Sequence, residues 1–134
     1  MPVFNAEQFL RRCLDSIFGQ TMRDFDVIAV NDGSTDSSLE ILREYETRYA
    51  NLRVVDQENA GQGAARNLAI DMATGRYILF VDADDFIESV LLQVTTERAE
   101  EDQSDLVHFD WKLYKPGKSS WSPFIYYNVA PYWG

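Results

Sequence analysis

Short, β-branched apolar runs that stop abruptly at acidic or glycine-bearing turns constrain this chain more than any other feature. Phe25 to Val30 (FDVIAV) runs into Asn31-Asp32-Gly33, and Tyr77 to Val81 (YILFV), the most apolar run, into Asp82-Ala83-Asp84-Asp85. Runs of this kind read as buried strands that end at a turn. Leu52 to Val55 and Asp105 to Trp111 read as two further strands. Between them lie stretches with apolar residues three and four apart, the helical period. Ala6, Phe9, Leu10, Cys13, Leu14, Ile17 and Phe18 mark a helix over 6–18, with Asn5 ahead of it as a cap and Gly19 closing it. A second helix, entered through Ser34, Thr35, Asp36 and Ser37, turns Leu39, Leu42, Tyr45 and Tyr49 inward. A third runs from Ala64 to about Ala73, with Gly75 ending it, and a fourth from about Glu88 to Glu101. Strands alternating with helices of ten or more residues imply a mostly parallel sheet flanked by helices, an α/β fold. Such sheets bind ligands at the carboxyl ends of their strands.

Composition narrows the partners. The 134 residues are 46% apolar, enough for one compact core, and the formal charge is −10. With no basic cluster, nucleic acid is excluded as a partner, because its affinity comes from clustered Lys and Arg. An acidic site can hold a phosphorylated ligand only with a cation between its carboxylates and the phosphates. The single cysteine, Cys13, rules out an internal disulfide framework and suits a reducing compartment. No run approaches a membrane span, and Met1-Pro2-Val3 does not begin a signal peptide, so a cytoplasmic protein is expected. Residues 1–110 form the expected domain. The segment 111–134 stands apart, holding 8 of the 18 aromatic residues and three of the four prolines.

Three groups of residues can carry chemistry. In an extended chain, Asp82 and Asp84 project to one side and Asp85 to the other, giving a hard-oxygen site for Mg2+ or Mn2+. The competing reading is an acidic turn at the positive end of the next helix. Asp32 can accept hydrogen bonds from a base imide or a ribose hydroxyl, or can serve an ordinary Asp-Gly turn. Asn59-Ala60-Gly61-Gln62-Gly63 precedes a helix that carries Arg66, so a ligand can approach the glycines and Arg66 can meet a phosphate. Taken alone, that piece is better accounted for by a flexible turn with an exposed arginine in a surface salt bridge. His108 is the only histidine, which excludes a multi-histidine metal site.

Pro2-Val3-Phe4-Asn5, Val30-Asn31-Asp32-Gly33-Ser34-Thr35-Asp36, Glu58-Asn59-Ala60-Gly61 with Ala64-Ala65-Arg66-Asn67, and Phe80-Val81-Asp82-Ala83-Asp84-Asp85 occur in this order. In order and spacing they resemble the successive motifs of glycosyltransferase family 2, which has the Rossmann-like GT-A fold. The resemblance covers roughly residues 2–110. It implies an inverting transferase that binds a nucleotide-sugar donor, most often a UDP-sugar, with Mg2+ or Mn2+. Pro2, Val3, Phe4 and Asp32 would hold the nucleobase, and Asp82 would face the ribose or the metal. Asp84 would ligate the metal, while Gly61 and Arg66 would lie near the phosphates or the donor sugar. The implied acceptor is a saccharide or a lipid-linked glycan, and the implied setting is surface polysaccharide synthesis on the inner face of a membrane or in the cytoplasm.

Two departures from that pattern create expectations. The central strand that precedes Pro2 in the family is reduced to a stub, so either the natural chain starts earlier, or the terminal segment Pro123 to Val129 or a partner chain, such as a second copy in a homo-oligomer, is expected to fill the gap. No acidic motif matching the family's base follows the metal motif. Glu88 reads as a helix-start acid and Asp110 as an exposed strand residue, so no base is assigned. Trp121, Phe124, Tyr126, Tyr127, Tyr132 and Trp133 suit stacking on an acceptor sugar, peripheral membrane contact or an oligomer contact equally. Two rival functions remain. A truncated transferase could act as a non-catalytic binding or assembly module. A haloacid-dehalogenase-type phosphatase also places Asp-x-Asp after a strand, but Asp85-Phe86-Ile87 fits its motif less well.

Overall fold

The computed structural model describes residues 1–110 of the chain. The elements are β1 (Pro2–Val3), α1 (Glu7–Phe18), β2 (Val27–Asp32), α2 (Ser38–Arg48), β3 (Leu52–Gln57), α3 (Gln62–Met72) and α4 (Leu91–Asp102). Residues 1–97 form one compact unit, and a second begins at residue 98. The three strands make a parallel sheet in the order β1-β2-β3. β2 pairs with β3 along its whole length, from Val27 opposite Leu52 to Asp32 opposite Gln57. This register brings both strands to their carboxyl ends at the same level.

Alternation along β2 sends side chains to two different layers. Val27 and Ala29, with Leu52, Val54 and Val3, pack against Leu10, Cys13, Leu14, Ile17 and Phe18 of α1 and Ile41, Leu42 and Tyr45 of α2. Val30, with Ile28 and Val55 beside it, packs against Ala65, Ala69 and Leu68 of α3 on the opposite face. Rings close the larger core: Phe18 stacks on Tyr49 with centroids 3.8 Å apart. A helix over the sheet on each side is what the alternating pattern required, and the mostly parallel α/β architecture is as expected.

The start of α1 is capped differently from the sequence expectation, whereas Asp36 serves the start of α2 as expected. Asn5 does not cap α1. It takes a left-handed conformation (φ 48°), and its Oδ1 accepts from the Thr35 amide at 2.8 Å. The two helix starts serve each other instead. Asp36 accepts from the Glu7 amide at 3.0 Å and from the Ser38 amide at 2.9 Å, and Glu7 accepts in return from the Ser37 amide at 3.0 Å. Ser38 Oγ accepts from the buried Ala6 amide at 2.9 Å. Because Glu7, Asp36 and Ser38 also reach across to the other helix, spacing within one helix could not reveal that part of the capping.

Two expected strands are absent among the described residues. Residues 77–81 do not join the sheet, and Ile78 (51% exposed) and Phe80 (46%) remain in solvent while Val81 packs on the core. Side-chain composition gives the propensity for a strand, but a strand exists only when its backbone finds a partner, and β1 is two residues long. Residues 105–110 likewise form no strand, and Trp111 lies outside the described residues. The fourth helix begins at Leu91 rather than Glu88. Residues Pro123 to Val129, expected to complete the sheet, also lie outside the described residues, as does the rest of the aromatic segment. No helix among the described residues is long and apolar enough to cross a membrane.

Candidate functional site

A cleft of about 500 Å³ lies over the carboxyl ends of the strands, lined by residues from four separate segments. Pro2, Val3 and Phe4 come from β1 and its exit, Asp32 from the end of β2, Asn59, Gly61 and Gln62 from the entry to α3, and Asp82 and Asp84 from the acidic turn. Three carboxylates and no lysine or arginine are among these lining residues. Of the residues singled out from the sequence, Pro2, Val3, Phe4, Asp32, Gly61, Asp82 and Asp84 are brought to one place. Arg66 joins them through Asp82.

Asp32 is almost fully buried (2% exposed), and its carboxylate organises the loop before α3. Oδ1 accepts from Gln57 Nε2 at 2.7 Å and the Ala60 amide at 2.8 Å, and Oδ2 accepts from the Gly61 amide at 2.9 Å. The Asp32 carbonyl accepts from Asn59 Nδ2 at 2.9 Å. The Ala60 amide and the Gln57 side chain hold this carboxyl below its usual value against the opposing effect of burial, and the Gly61 amide adds to them. A carboxylate offers about four acceptor positions, and three are engaged within the fold. The Asp-Gly turn and the cleft-lining role thus coexist in one residue.

Two glycines make this geometry accessible. Gly33 has φ +71°, and a Cβ there would sit 2.8 Å from the Asn59 amide nitrogen. Gly61 has φ +90° and caps α3 while its own amide donates to Asp32. Both conformations are costly for residues with a Cβ.

The acidic motif is a turn and not a continuing strand: the Asp85 amide donates to the Asp82 carbonyl at 3.1 Å. The alternation expected of an extended chain therefore does not apply. Ala83 is buried in the core, and the acids on either side of it line the cleft. Arg66 Nη2 meets Asp82 Oδ1 at 2.6 Å, and Arg66 Nη1 donates to Gln62 Oε1 at 2.8 Å. Arg66 thereby ties α3 to the acidic turn and neutralises one of its carboxylates, leaving Asp84 exposed. Asp85 has its carboxyl raised, first by burial and then by the charges of Asp84 and Asp82.

Among the described residues no group of three or more His, Cys, Asp or Glu side chains could enclose a metal ion. Asp84 with Asp82 offers hard oxygen donors of the kind that Mg2+ and Mn2+ accept from a protein when water and phosphate complete the shell. The donor set fits a cation held jointly with a ligand. Cys13 is buried, its thiol pushed up to about 12 chiefly by burial, and it fills core volume.

Some site residues were not foreseen. Phe9, read as a core residue of the first helix, is 51% exposed and lines the cleft. Gln57 serves the Asp32 carboxylate, whereas Asn59 and Gln62, which line the cleft, belong to the glycine-bearing stretch already singled out. The position of Gln57 follows only from the strand register opposite Asp32, which no local pattern encodes.

The fold and cleft define the class: a Rossmann-like α/β domain of the GT-A type, with its cleft where parallel strands end. Residues 1–131 match the family described as Glycosyl transferase family 2, and the chain belongs to that family. It is 46% identical over 107 residues to the uncharacterized glycosyltransferase EpsJ of Bacillus subtilis (strain 168), covering 80% of this chain and 31% of that protein. Identity is also 46% over 110 residues to the poly(ribitol-phosphate) beta-glucosyltransferase of Bacillus spizizenii, covering 79% of this chain and 17% of that protein. Among solved structures, S. aureus TarS 1–349 in complex with UDP superposes with a TM-score of 0.73 at 35% identity, covering 78% of this chain and 32% of that one. The chain thus spans a third or less of the length of these relatives.

Proposed function

We propose that this chain is the donor-binding part of an inverting glycosyltransferase that takes a UDP-sugar with Mg2+ or Mn2+. The observation that carries the reading is the convergence of Asp32, Asp82 and Asp84 from two separate segments on one cleft beside a glycine-bearing helix entry. The similarity to TarS, whose structure contains UDP, supports uracil as the base. The acceptor is a saccharide or a lipid-linked glycan made on the cytoplasmic side of a membrane for surface polysaccharide. The relationship to a poly(ribitol-phosphate) beta-glucosyltransferase supports a polymeric acceptor.

In this reading Pro2, Val3 and Phe4 hold one face of the base, and Asp32 fixes the loop that closes over it. Its remaining acceptor position takes the base imide. Arg66, paired with Asp82, keeps the acidic turn against α3 and brings a positive charge near the phosphates. Asp84, with Asp82 beside it, would hold the cation. When bound, the metal supplies positive charge against the negative charge that grows on the departing diphosphate. An acidic cleft without it repels a diphosphate: two like charges about 4 Å apart cost roughly 4 kcal/mol at an effective dielectric near 20.

Calorimetric titration with UDP, with and without Mn2+, tests the reading. Binding should tighten with Mn2+, and Asp84→Ala should abolish that gain while leaving uridine binding intact. Affinity that ignores both the metal and the substitution removes the role given to Asp84. Turnover of a UDP-sugar in the presence of saccharide acceptors separates a transferase from a module that only binds.

A further inference from the structure

Residues 82–92 carry the acidic turn, yet the run before them makes no strand pairing among the described residues. Besides the Arg66–Asp82 pair and the core packing of Ala83, what holds this segment is the end of α1. Gln20 lies just past that helix with no exposed surface, and both ends of its amide are in use. Its Nε2 donates to the Glu88 carbonyl at 2.7 Å and to the Ser16 carbonyl at 3.0 Å, and its Oε1 accepts from the Leu92 amide at 3.0 Å. Around it, Ser16 Oγ accepts from the Ile87 amide at 3.1 Å, the Thr21 amide donates to the Ser89 carbonyl at 2.8 Å, and Cys13 Sγ lies 3.5 Å from the Asp82 carbonyl.

This arrangement has a local cause. The last four carbonyls of a helix have no partner within it. In α1 the Asp15 carbonyl accepts from Gly19, that of Ile17 from Gly19 and Gln20, and that of Phe18 from the Arg23 side chain. The Ser16 carbonyl is left for the Gln20 side chain, which draws the amide inward and presents its remaining donor and its acceptor to Glu88 and Leu92. A side chain of either charge could not both donate and accept there.

We propose that Gln20 is a positioning residue for the acidic turn: by gripping residues 88 and 92, with Ser16 gripping residue 87, it sets where Asp82 and Asp84 stand in the cleft. The part of this inference that concerns the cation rests on the donor-binding reading above. Groups that orient metal ligands without touching the metal typically change affinity by about 10- to 100-fold.

The test uses the full chain with Gln20→Met, the milder Ser16→Ala, and Arg11→Ala as a control on the face of α1 that meets Glu44. All are measured at a temperature where circular dichroism shows each variant folded. The first readout, independent of any ligand, is amide hydrogen exchange across residues 82–92. It should speed up in Gln20→Met and Ser16→Ala and stay at the wild-type rate in Arg11→Ala. The second is the gain in UDP affinity on adding Mn2+, which should fall about tenfold in Gln20→Met while uridine affinity is unchanged. A purely structural role would lower the melting temperature and leave that gain intact, and this outcome overturns the proposal. If wild type shows no Mn2+ gain, the donor-binding reading fails and exchange decides alone: unchanged rates across 82–85 then overturn the positioning role, and raised rates sustain it. If Gln20→Met does not fold, Ser16→Ala is judged by the same criteria.

Discussion

Asp32 and Gly33 show how much two adjacent residues decide. The carboxylate accepts three hydrogen bonds from residues 57–61, and the glycine gives the chain the left-handed turn that lets Asn59 pass close by. Gly33→Ala would combine an unfavourable backbone conformation with a Cβ placed against the Asn59 amide. We expect destabilisation of about 1–3 kcal/mol by urea unfolding, together with weaker UDP binding as the 58–61 loop shifts. Unchanged stability and affinity would show that the turn adapts and that Gly33 is there for other reasons. The Asp-Gly pair was visible in the sequence as a turn beside a strand end. The targets of its carboxylate were not, because Gln57, Ala60 and Gly61 reach it only once β3 lies alongside β2 in register.

Among the elements, α1 and α2 depend on each other from their first residues. Asp36 serves the amides of Glu7 and Ser38 at once, so its loss uncaps two helices. Asp36→Ala should cost about 1–2 kcal/mol in unfolding free energy. Asp36→Asn, which keeps one acceptor oxygen, should recover part of that. Equal losses in the two variants would show that charge and not capping carries the effect. The helices themselves were legible from spacing alone: α1, α2 and α3 fall within a few residues of their expected bounds, since a buried stripe with a period near 3.6 has few alternatives. Run 77–81 was misread for a physical reason. Tyr77, Ile78 and Phe80 carry strand propensity, but propensity supplies no neighbouring strand to pair with, and β1 is short.

Across the whole described chain, stability should depend on acid in a direction set by carboxylates held low in the fold, Asp32 and Glu46 among them. Asp32 is held below its usual value first by the Ala60 amide, and Glu46 first by the Val54 amide. Folded values below the unfolded ones, about 3.9 for Asp and 4.3 for Glu, mean that their contribution is complete above those unfolded values. It is lost as pH falls through the folded ones. Asp85, raised by burial and by its acidic neighbours, acts in the opposite sense and offsets part of this. The urea midpoint should therefore fall below about pH 4, and Asp32→Asn should flatten the decline. A midpoint unchanged down to about pH 3 would remove these carboxylates from the account. Taken by itself, the sequence determined the strand and helix alternation as far as α3, the faces those elements bury and the glycine-bearing and acidic turns, because each is written in a local period or a residue's own conformational limits. Tertiary structure alone decided that Asp32 clasps the loop before α3, that Arg66 pairs with Asp82, and that Gln20 holds the segment after the acidic turn. Those contacts join residues 16 to 72 positions apart, and only the packed register of strands and helices brings such partners within hydrogen-bond reach.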